Sequence, residues 1–235
     1  MTTYVFVHGA WHGGWCWQRL TERLVGNGHR LFAPSLSGLA DRAHALTRQT
    51  NLSTHIADIA ELLRYESLRD VVLVGHSYGG MIITAVADRM PERLRSVVYL
   101  DAAFPDTGQS ALDLMAPERR QAVVAGVRER GFGWLSPPFP AAEFGLTEPL
   151  DVAWVNARLT PQPYACLIEP LWLTGQHRKV PKKVYVLATN NQKSAFRPVY
   201  ERLLGDSGWI TLTVASGHDA MIERPDEVAT ILAAL

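Results

Sequence analysis

The sequence predicts an α/β fold, with a mostly parallel sheet, helices on both faces and a helical insertion. Short apolar runs typical of buried strands alternate with longer segments of helical periodicity over most of the chain. Residues 71–87 place a buried strand, a glycine-flanked turn and an apolar helix in direct succession. Residues 103–180 interrupt this alternation, which predicts a core of residues 1–102 and 181–235 and an insertion of residues 103–180.

Length and composition limit the class of protein. The 235 residues suit one α/β domain, and 47% hydrophobic with 20% charged residues is typical of a soluble globular protein. The formal net charge is zero, so neither a nucleic-acid partner nor a membrane surface is predicted. No apolar run is long enough to span a bilayer, and residues 1–5 lack the basic start of a signal peptide. Cys16 and Cys166 form no metal-binding cluster and predict free thiols of a cytoplasmic protein.

The predicted elements follow in order along the chain. Strands are expected at residues 3–7, 29–34, 71–74, 95–100, 183–188 and 209–214. Helices are expected at residues 15–25, 51–66, 81–87, 197–204 and 226–234. The helix at residues 51–66 has the clearest pattern, because its isoleucine and leucine residues recur at helical spacing.

The insertion is rich in proline and carries Trp134, Trp154 and Trp172. It contains no clear run typical of a buried strand, so we expect a mostly helical cap that lies over the site. Trp134 and Trp154 are predicted to line the substrate pocket. The alternative is that these tryptophans only pack the cap on the core.

Ser77 is the candidate nucleophile. It is the central residue of Gly-His-Ser-Tyr-Gly at residues 75–79, between a strand and a helix. This context predicts a nucleophile elbow, a strained turn that needs small neighbours at Gly75 and Gly79. The elbow holds the hydroxyl at the carboxyl edge of the sheet, where backbone N–H groups meet developing negative charge. The alternative is a glycine-rich turn without chemistry.

A general base and an oxyanion hole are predicted around this nucleophile. Among the eight histidines, His218 combines a position directly after the last strand with a late place in the chain. The backbone N–H of Tyr78 would donate one hydrogen bond to the oxyanion. The N–H of Ala10, after the first strand, would donate the other, and Trp11 is the alternative to Ala10. Trp11 and His12 are also candidate substrate-binding residues, and His12 is expected to orient its loop by a hydrogen bond.

Together these motifs resemble the α/β-hydrolase superfamily, and more narrowly the plant methyl esterases and hydroxynitrile lyases with their bacterial esterase relatives. The resemblance rests on residues 7–15, the elbow of residues 75–80 and the Gly-His ending at His218, and it covers nearly the whole chain. It implies an α/β-hydrolase fold, with Ser77 as nucleophile and His218 as general base. Asp219 replaces the lysine of the plant lyases, so lyase chemistry is not expected. Asp219 is also a poor candidate for the acid, because adjacent side chains usually diverge.

The acid of the expected triad departs from the family pattern. In that group the acid follows the strand that corresponds to residues 183–188, but residues 188–193 contain no carboxylate and Asn191 stands near the expected position. We predict the acid at Asp101, as in haloalkane dehalogenase-like members of the superfamily, with Asp106 as second choice. The remaining alternatives are that Asn191 only orients the imidazole, or that the protein is not a hydrolase.

A serine, a histidine and an oxyanion hole predict ester hydrolysis through an acyl-enzyme. The tryptophan-rich insertion and the low charge favour a small, largely apolar ester, and neither a metal nor a cofactor is expected. A lactonase is an alternative because its chemistry is the same. A ligand-binding receptor on a hydrolase scaffold with slow turnover is another. The oligomeric state stays open, with a homodimer among the alternatives.

Overall fold

A computed structural model describes residues 1–26, 28–191 and 194–235. The strands are β1 (Thr3–Val7), β2 (Arg30–Phe32), β3 (Val71–Ser77), β4 (Leu94–Ala102), β5 (Leu135–Ser136), β6 (Gln162–Pro163), β7 (Lys182–Ala188) and β8 (Ile210–Val214). One sheet has the strand order β2-β1-β3-β4-β7-β8, and every neighbouring pair in it is parallel. The predicted α/β architecture is therefore confirmed.

The predicted core helices are present, and their ends agree with the sequence within three residues. The α-helices are α1 (Gln18–Val25), α2 (Leu52–Tyr65), α3 (Gly79–Arg89), α4 (Pro117–Arg130), α5 (Pro149–Asn156), α6 (Ala165–Ile168), α7 (Arg197–Leu203), α8 (Ala220–Glu223) and α9 (Pro225–Ala233). Helix α2 begins after Asn51 because the side chains and backbone N–H groups of Asn51 and Thr54 bond reciprocally. Among the described residues, no helix combines the length and apolarity needed to cross a bilayer.

The strands send alternate side chains into two hydrophobic cores. Val71 and Leu73 of β3 pack with residues of α2 and α3, whereas Val72 and Val74 pack with residues of α1 and α9. Because helices cover both faces of the sheet, every one of these four side chains is buried. This explains why the β3 sequence is apolar throughout and does not alternate.

The segment of residues 103–180, predicted as a mostly helical insertion, also contains strands. It contains helices α4, α5 and α6 as expected, but β5 and β6 also pair as a short antiparallel ladder. Each of these strands is only two residues long. Such short strands have no detectable periodicity, which is why the sequence did not reveal them. Within the described residues, neither strand joins the central sheet.

The strand order places a crevice between β1 and β3. From β1 the chain adds β2 on one side, whereas β3, β4, β7 and β8 lie on the other. In open α/β sheets, the loops at the carboxyl ends diverge at such a reversal and leave room for a ligand. Ser77 ends β3, and the glycine-rich loop of residues 8–14 follows β1. Two predicted parts of the site therefore lie at this crevice.

Candidate active site

The turn between β3 and α3 has the geometry expected of a nucleophile elbow. Ser77 has a φ of 54°, in the left-handed region that is costly for a residue with a Cβ atom. A Cβ atom at Gly75 would lie 2.9 Å from the carbonyl oxygen of Gly79, and one at Gly79 would lie 2.5 Å from that of Val7. Glycine is therefore required on both sides of the serine, and Ser77 faces a cavity at the carboxyl edge of the sheet.

Asp101 and His218 lie in direct contact. Asp101 Oδ2 is 2.6 Å from His218 Nδ1, the aspartate is fully buried, and the histidine is 7% exposed. The other carboxylate oxygen accepts hydrogen bonds from the backbone N–H of Ala188 at 3.3 Å and the hydroxyl of Ser194 at 3.5 Å. A carboxylate at Nδ1 orients the ring, stabilises its protonated form and leaves Nε2 available for chemistry.

A β-bulge directs Asp101 toward the imidazole. His76 pairs with Leu100 and Ser77 pairs with Ala102, so Asp101 is an extra residue of β4 opposite β3. Its φ of 42° also lies in the left-handed region. A bulge bends its strand and redirects the side chain of the extra residue, and bulges often lie beside active sites. The bulge therefore explains how a strand residue comes to face a histidine on a distant loop.

His218 is held on several sides. Its backbone N–H donates to the carbonyl oxygen of Phe144 at 2.7 Å, and its own carbonyl oxygen lies 3.0 Å from His76 Nε2. The Phe196 ring stacks on the imidazole with ring centroids 5.5 Å apart. Ser77 and His218 line the same cavity, although among the described residues no hydrogen bond joins the hydroxyl to the imidazole. In proteins without substrate this bond is often long and tightens only when substrate binds.

Trp11 ties the loop after β1 to the insertion. Its backbone N–H donates to Gln162 Oε1 at 3.2 Å, and its indole N–H donates to the carbonyl oxygen of Ser136 at 3.0 Å. Its own carbonyl oxygen accepts a hydrogen bond from the N–H of Thr160 at 2.9 Å. Trp11 has a φ of 65°, so these bonds hold a strained residue in place.

The geometry favours Ala10 over Trp11 as an oxyanion donor. In the part of the chain that the structure describes, the N–H groups of Ala10 and Tyr78 donate no hydrogen bond, and both residues line the cavity. The carbonyl oxygen of Gly9, on the same peptide as the Ala10 N–H, lies 2.8 Å from His8 Nδ1. Because the C=O and N–H of a trans peptide point in opposite directions, this bond also orients the Ala10 N–H.

A buried ion pair lies beside this loop. His12 Nε2 is 3.2 Å from Asp219 Oδ2, and His12 Nδ1 is 2.8 Å from the carbonyl oxygen of Ala10. Burial alone would lower the pKa of His12, but the Asp219 carboxylate outweighs it and raises this pKa above its usual value. Burial alone would raise the pKa of Asp219, but His12 outweighs it and holds this pKa at about 2. The hydrogen bond expected from His12 to its own loop is observed.

Asp106 and Asn191, the alternatives to Asp101, do not contact His218. Asp106 is exposed, and its Oδ2 lies 3.4 Å from Arg202 Nη1. Asn191 lines the cavity, but it forms no hydrogen bond with His218 among the residues described. Gln192 and Lys193, from the same turn, lie outside the described residues. The geometry therefore favours Asp101.

Trp134 and Trp154 lie outside the cavity, and their prediction as pocket residues is corrected accordingly. Trp154 packs edge-on against Trp15, with ring centroids 5.1 Å apart. The guanidinium of Arg48 lies 5.0 Å from the centre of a Trp134 ring. Both tryptophans therefore pack the insertion against the core, which is the alternative that the sequence had left open.

The cavity has a volume of about 520 Å³ and is lined mainly by apolar side chains. The larger of those that the sequence did not single out include Leu114, Met115, Phe144 and Phe196. Arg119 and Glu143 also line it and pair with each other, with Arg119 Nη1 2.9 Å from Glu143 Oε2. All but Phe196 come from the insertion, where no periodic pattern marks the residues that face a pocket. Within the described ranges, no group of three metal-ligating side chains is found.

The fold and the arrangement of Ser77, His218 and Asp101 at one sheet edge define an α/β-hydrolase. A family model described as the alpha/beta hydrolase family matches residues 4–231, and the chain belongs to this family. The chain is 40% identical over 243 residues to a carbendazim hydrolyzing esterase of Nocardioides sp. (strain SG-4G), and the match covers 100% of both proteins. It is 36% identical over 110 residues to methylesterase 1 of Arabidopsis thaliana, which covers 46% of this chain and 41% of that protein.

Solved structures share the fold. An extracellular alpha/beta-hydrolase from a Paenibacillus species superimposes with a TM-score of 0.87 at 21% identity, covering 100% of this chain and 98% of the other. Tomato methylketone synthase I superimposes with a TM-score of 0.75 at 21% identity, covering 99% and 96%. These likenesses support the fold alone. The relatives named as esterases support an esterase-type hydrolase, and the predicted resemblance to this superfamily is confirmed.

Proposed function

We propose that this protein is a serine hydrolase that cleaves carboxylic esters of small, largely apolar molecules through an acyl-enzyme. The observation that carries the proposal is the 2.6 Å contact between Asp101 and His218 at the same cavity as the strained Ser77. A polarised imidazole that shares a cavity with a partly buried serine hydroxyl is the arrangement that activates serine for attack on a carbonyl carbon.

In the proposed reaction, Ser77 Oγ attacks the ester carbonyl carbon while His218 Nε2 takes the hydroxyl proton. The N–H groups of Ala10 and Tyr78 donate to the oxyanion, and each such donor lowers the barrier by about 3 kcal/mol. His218 then gives the proton to the departing alcohol, and the acyl group stays on Ser77. A water molecule that loses a proton to the same imidazole attacks the acyl carbon and releases the carboxylic acid. Asp101 stabilises the imidazolium in both steps.

The cavity supports a small, largely apolar substrate. Its volume of about 520 Å³ lies in the usual range for small-molecule sites. Arg119 and Glu143 neutralise each other, so the wall offers no unpaired charge from this pair to a substrate carboxylate or ammonium group. In this proposal, residues 103–180 act as a cap that completes the pocket over the core of residues 1–102 and 181–235.

Labelling with a fluorophosphonate tests the nucleophile. The wild-type protein should react rapidly, and mass spectrometry should locate the adduct on Ser77. Ser77→Ala should not react, whereas the matched control Ser53→Ala, which changes an exposed serine of α2, should react like the wild type. An adduct at another residue, or tight ligand binding without turnover, would replace the enzyme proposal with a receptor.

A substrate panel tests the substrate class. With p-nitrophenyl esters, kcat/KM should rise from acetate to butyrate and stay low for an ester whose acyl group carries a free carboxylate. Carbendazim, which appears in the name of the 40% identical relative, belongs in the same panel. A flat profile, a preference for charged acyl groups or faster turnover of lactones would refute the proposed substrate class.

A further inference from the structure

His12 and Asp219 form a charged pair that the proposed reaction does not use. Their exposed fractions are 1% and 0%, and His12 Nε2 lies 3.2 Å from Asp219 Oδ2. Transfer of charges from water into a protein interior is costly, and the attraction within a buried pair often fails to exceed that cost. Stability alone therefore gives little reason to place an ion pair here, where His12 lines the catalytic cavity.

The pair connects the three segments that build the site. His12 Nδ1 lies 2.8 Å from the carbonyl oxygen of Ala10, the proposed oxyanion donor. Asp219 directly follows the catalytic histidine in the chain. Asp219 Oδ1 lies 3.6 Å from Nε2 of His76, which directly precedes the nucleophile. One buried cluster thus reaches the oxyanion loop, the histidine loop and the end of β3.

His76 provides a second link to the catalytic histidine. Its Nε2 lies 3.0 Å from the carbonyl oxygen of His218, and the two ring centroids are 4.4 Å apart. Burial holds the pKa of His76 well below its usual value, so the ring is neutral and its Nε2–H donates to that carbonyl. A Cβ atom at Gly9 would lie 3.0 Å from His76 Nδ1, so the oxyanion loop packs directly on this ring.

We infer that His12 and Asp219 are positioning residues, which hold the oxyanion donor at a set distance from the catalytic imidazole. The inference rests on the hydrolase function proposed for this site. His12, with a proton on each ring nitrogen, donates one hydrogen bond to the Ala10 carbonyl oxygen and the other to the Asp219 carboxylate. The Asp219 carboxylate keeps a proton on each ring nitrogen of His12. Without the carboxylate His12 holds the Ala10 carbonyl oxygen less firmly, so the oxyanion loop can shift. A displacement well below 1 Å at such a loop is enough to lower the rate.

The variants Asp219→Asn and His12→Gln test this role. Each should lower kcat for p-nitrophenyl butyrate by about tenfold to a hundredfold, because the donor is displaced in the transition state. KM should change less than kcat, since Asp219→Asn leaves the cavity lining untouched and His12→Gln changes one polar residue of it. The double variant should be no slower than the slower single variant, because both changes remove the same interaction.

The matched control is Asp88→Asn. Asp88 forms a second buried pair, in which its Oδ1 lies 3.0 Å from His177 Nδ1, and neither residue lines the catalytic cavity. This control should lower the urea midpoint of unfolding and leave kcat unchanged. The number of native sites in each preparation is counted from the end point of fluorophosphonate labelling, so kcat refers to folded protein even where a variant is partly unfolded.

A measurement independent of turnover completes the test. An alkyl trifluoromethyl ketone forms an oxyanion adduct with the serine, so its dissociation constant should rise in both variants by the factor that kcat/KM falls. If both variants keep wild-type kcat and ketone affinity, the pair is purely structural and the inference is overturned. If the wild type neither hydrolyses esters nor reacts with fluorophosphonate at Ser77, the proposed function fails instead.

Discussion

The family resemblance leads one to expect the acid after β7, whereas in this chain the carboxylate beside His218 comes from β4. Asp101 stands in the bulge of β4, and its Oδ2 lies 2.6 Å from His218 Nδ1. The turn after β7 still takes part, since Ala188 and Ser194 bond the other oxygen of Asp101. Asn191, near the position expected for the acid, lines the cavity instead.

Asp101→Asn should lower kcat by roughly 10⁴-fold while KM changes little, because an amide cannot stabilise the imidazolium. Asparagine has almost the same volume and tolerates a positive φ, so circular dichroism should show a native fold. The control Asp106→Asn makes the same chemical change at an exposed residue and should retain wild-type kcat. Near-full activity in Asp101→Asn, together with an inactive Asn191→Ala, would contradict the assignment.

At the scale of single residues, local steric demands could be predicted and distant pairings could not. Ser77 is marked by its own neighbours, because five consecutive residues contain the glycines that the turn requires. His218 is marked by its place after the last strand. The bond between His12 and Asp219 joins residues 207 positions apart, and no local pattern carries that information. Trp154 was misplaced for the same reason, since aromatic residues in an irregular segment give no sign of the direction they face.

Helix α3 starts in a space where only glycine fits. A Cβ atom at Gly80 would collide with the carbonyl oxygen of Ala103, and one at Gly79 would lie 2.5 Å from that of Val7. The first turn of α3 therefore packs against the chain that follows β4 and against the end of β1. This close approach places Tyr78 at the cavity, which residues of the loop after β1 also line.

Gly80→Ala should lower the free energy of unfolding by about 2–3 kcal/mol, because α3 must move away from β4 to admit the methyl group. Urea unfolding followed by tryptophan fluorescence measures this change. Gly26→Ala is the matched control, since Gly26 has a φ of −65° and, apart from its own chain neighbours and helix backbone, no described residue has an atom within 4 Å of an added Cβ. Equal effects in the two variants would show that steric contact at α3 is not the cause.

At the scale of elements, regular pieces of the core could be predicted, whereas the insertion could not be described in detail. Buried strands and amphipathic helices repeat a pattern over several residues, so their ends agree with the structure within a few positions. Strands β5 and β6 have two residues each and show no repeat. Ser136 and Gln162 are fully buried there, and the bonds they make to Trp11 come from tertiary contact alone.

At the scale of the whole molecule, buried histidines make the free energy of unfolding depend on pH. Burial lowers the pKa of His8 to about 3 and that of His55 to about 4, whereas the unfolded chain keeps a histidine pKa of about 6.5. Between these values the unfolded chain binds more protons, so stability falls as pH decreases from 6.5. Asp219, with a pKa of about 2, adds a further loss only below about pH 4. The raised pKa of His12 acts in the opposite direction. Its contribution to the free energy of unfolding is present below pH 6.5 and is lost as pH rises.

Burial also holds the pKa of His76 well below its usual value, so three histidines contribute. The free energy of unfolding should therefore fall by roughly 3–4 kcal/mol per pH unit between pH 6 and pH 4.5, at about 1.4 kcal/mol for each histidine. Urea titrations at several pH values measure this slope. His55→Gln should reduce the slope by about one proton, since it removes one of the three groups. A stability that is flat from pH 7 to pH 4.5, or an unchanged slope in His55→Gln, would contradict this account.

The three hydrogen bonds between Trp11 and the segment from Ser136 to Gln162 have a consequence for protein engineering. They join this part of the insertion to the loop after β1. A large movement of the insertion would therefore break the bonds that hold the strained backbone of Trp11, next to Ala10, in place. A chimera that exchanges the insertion for that of a relative must therefore bring a compatible β5–β6 pair with it. Without such a pair, we expect the chimera to lose catalytic rate as well as substrate selectivity.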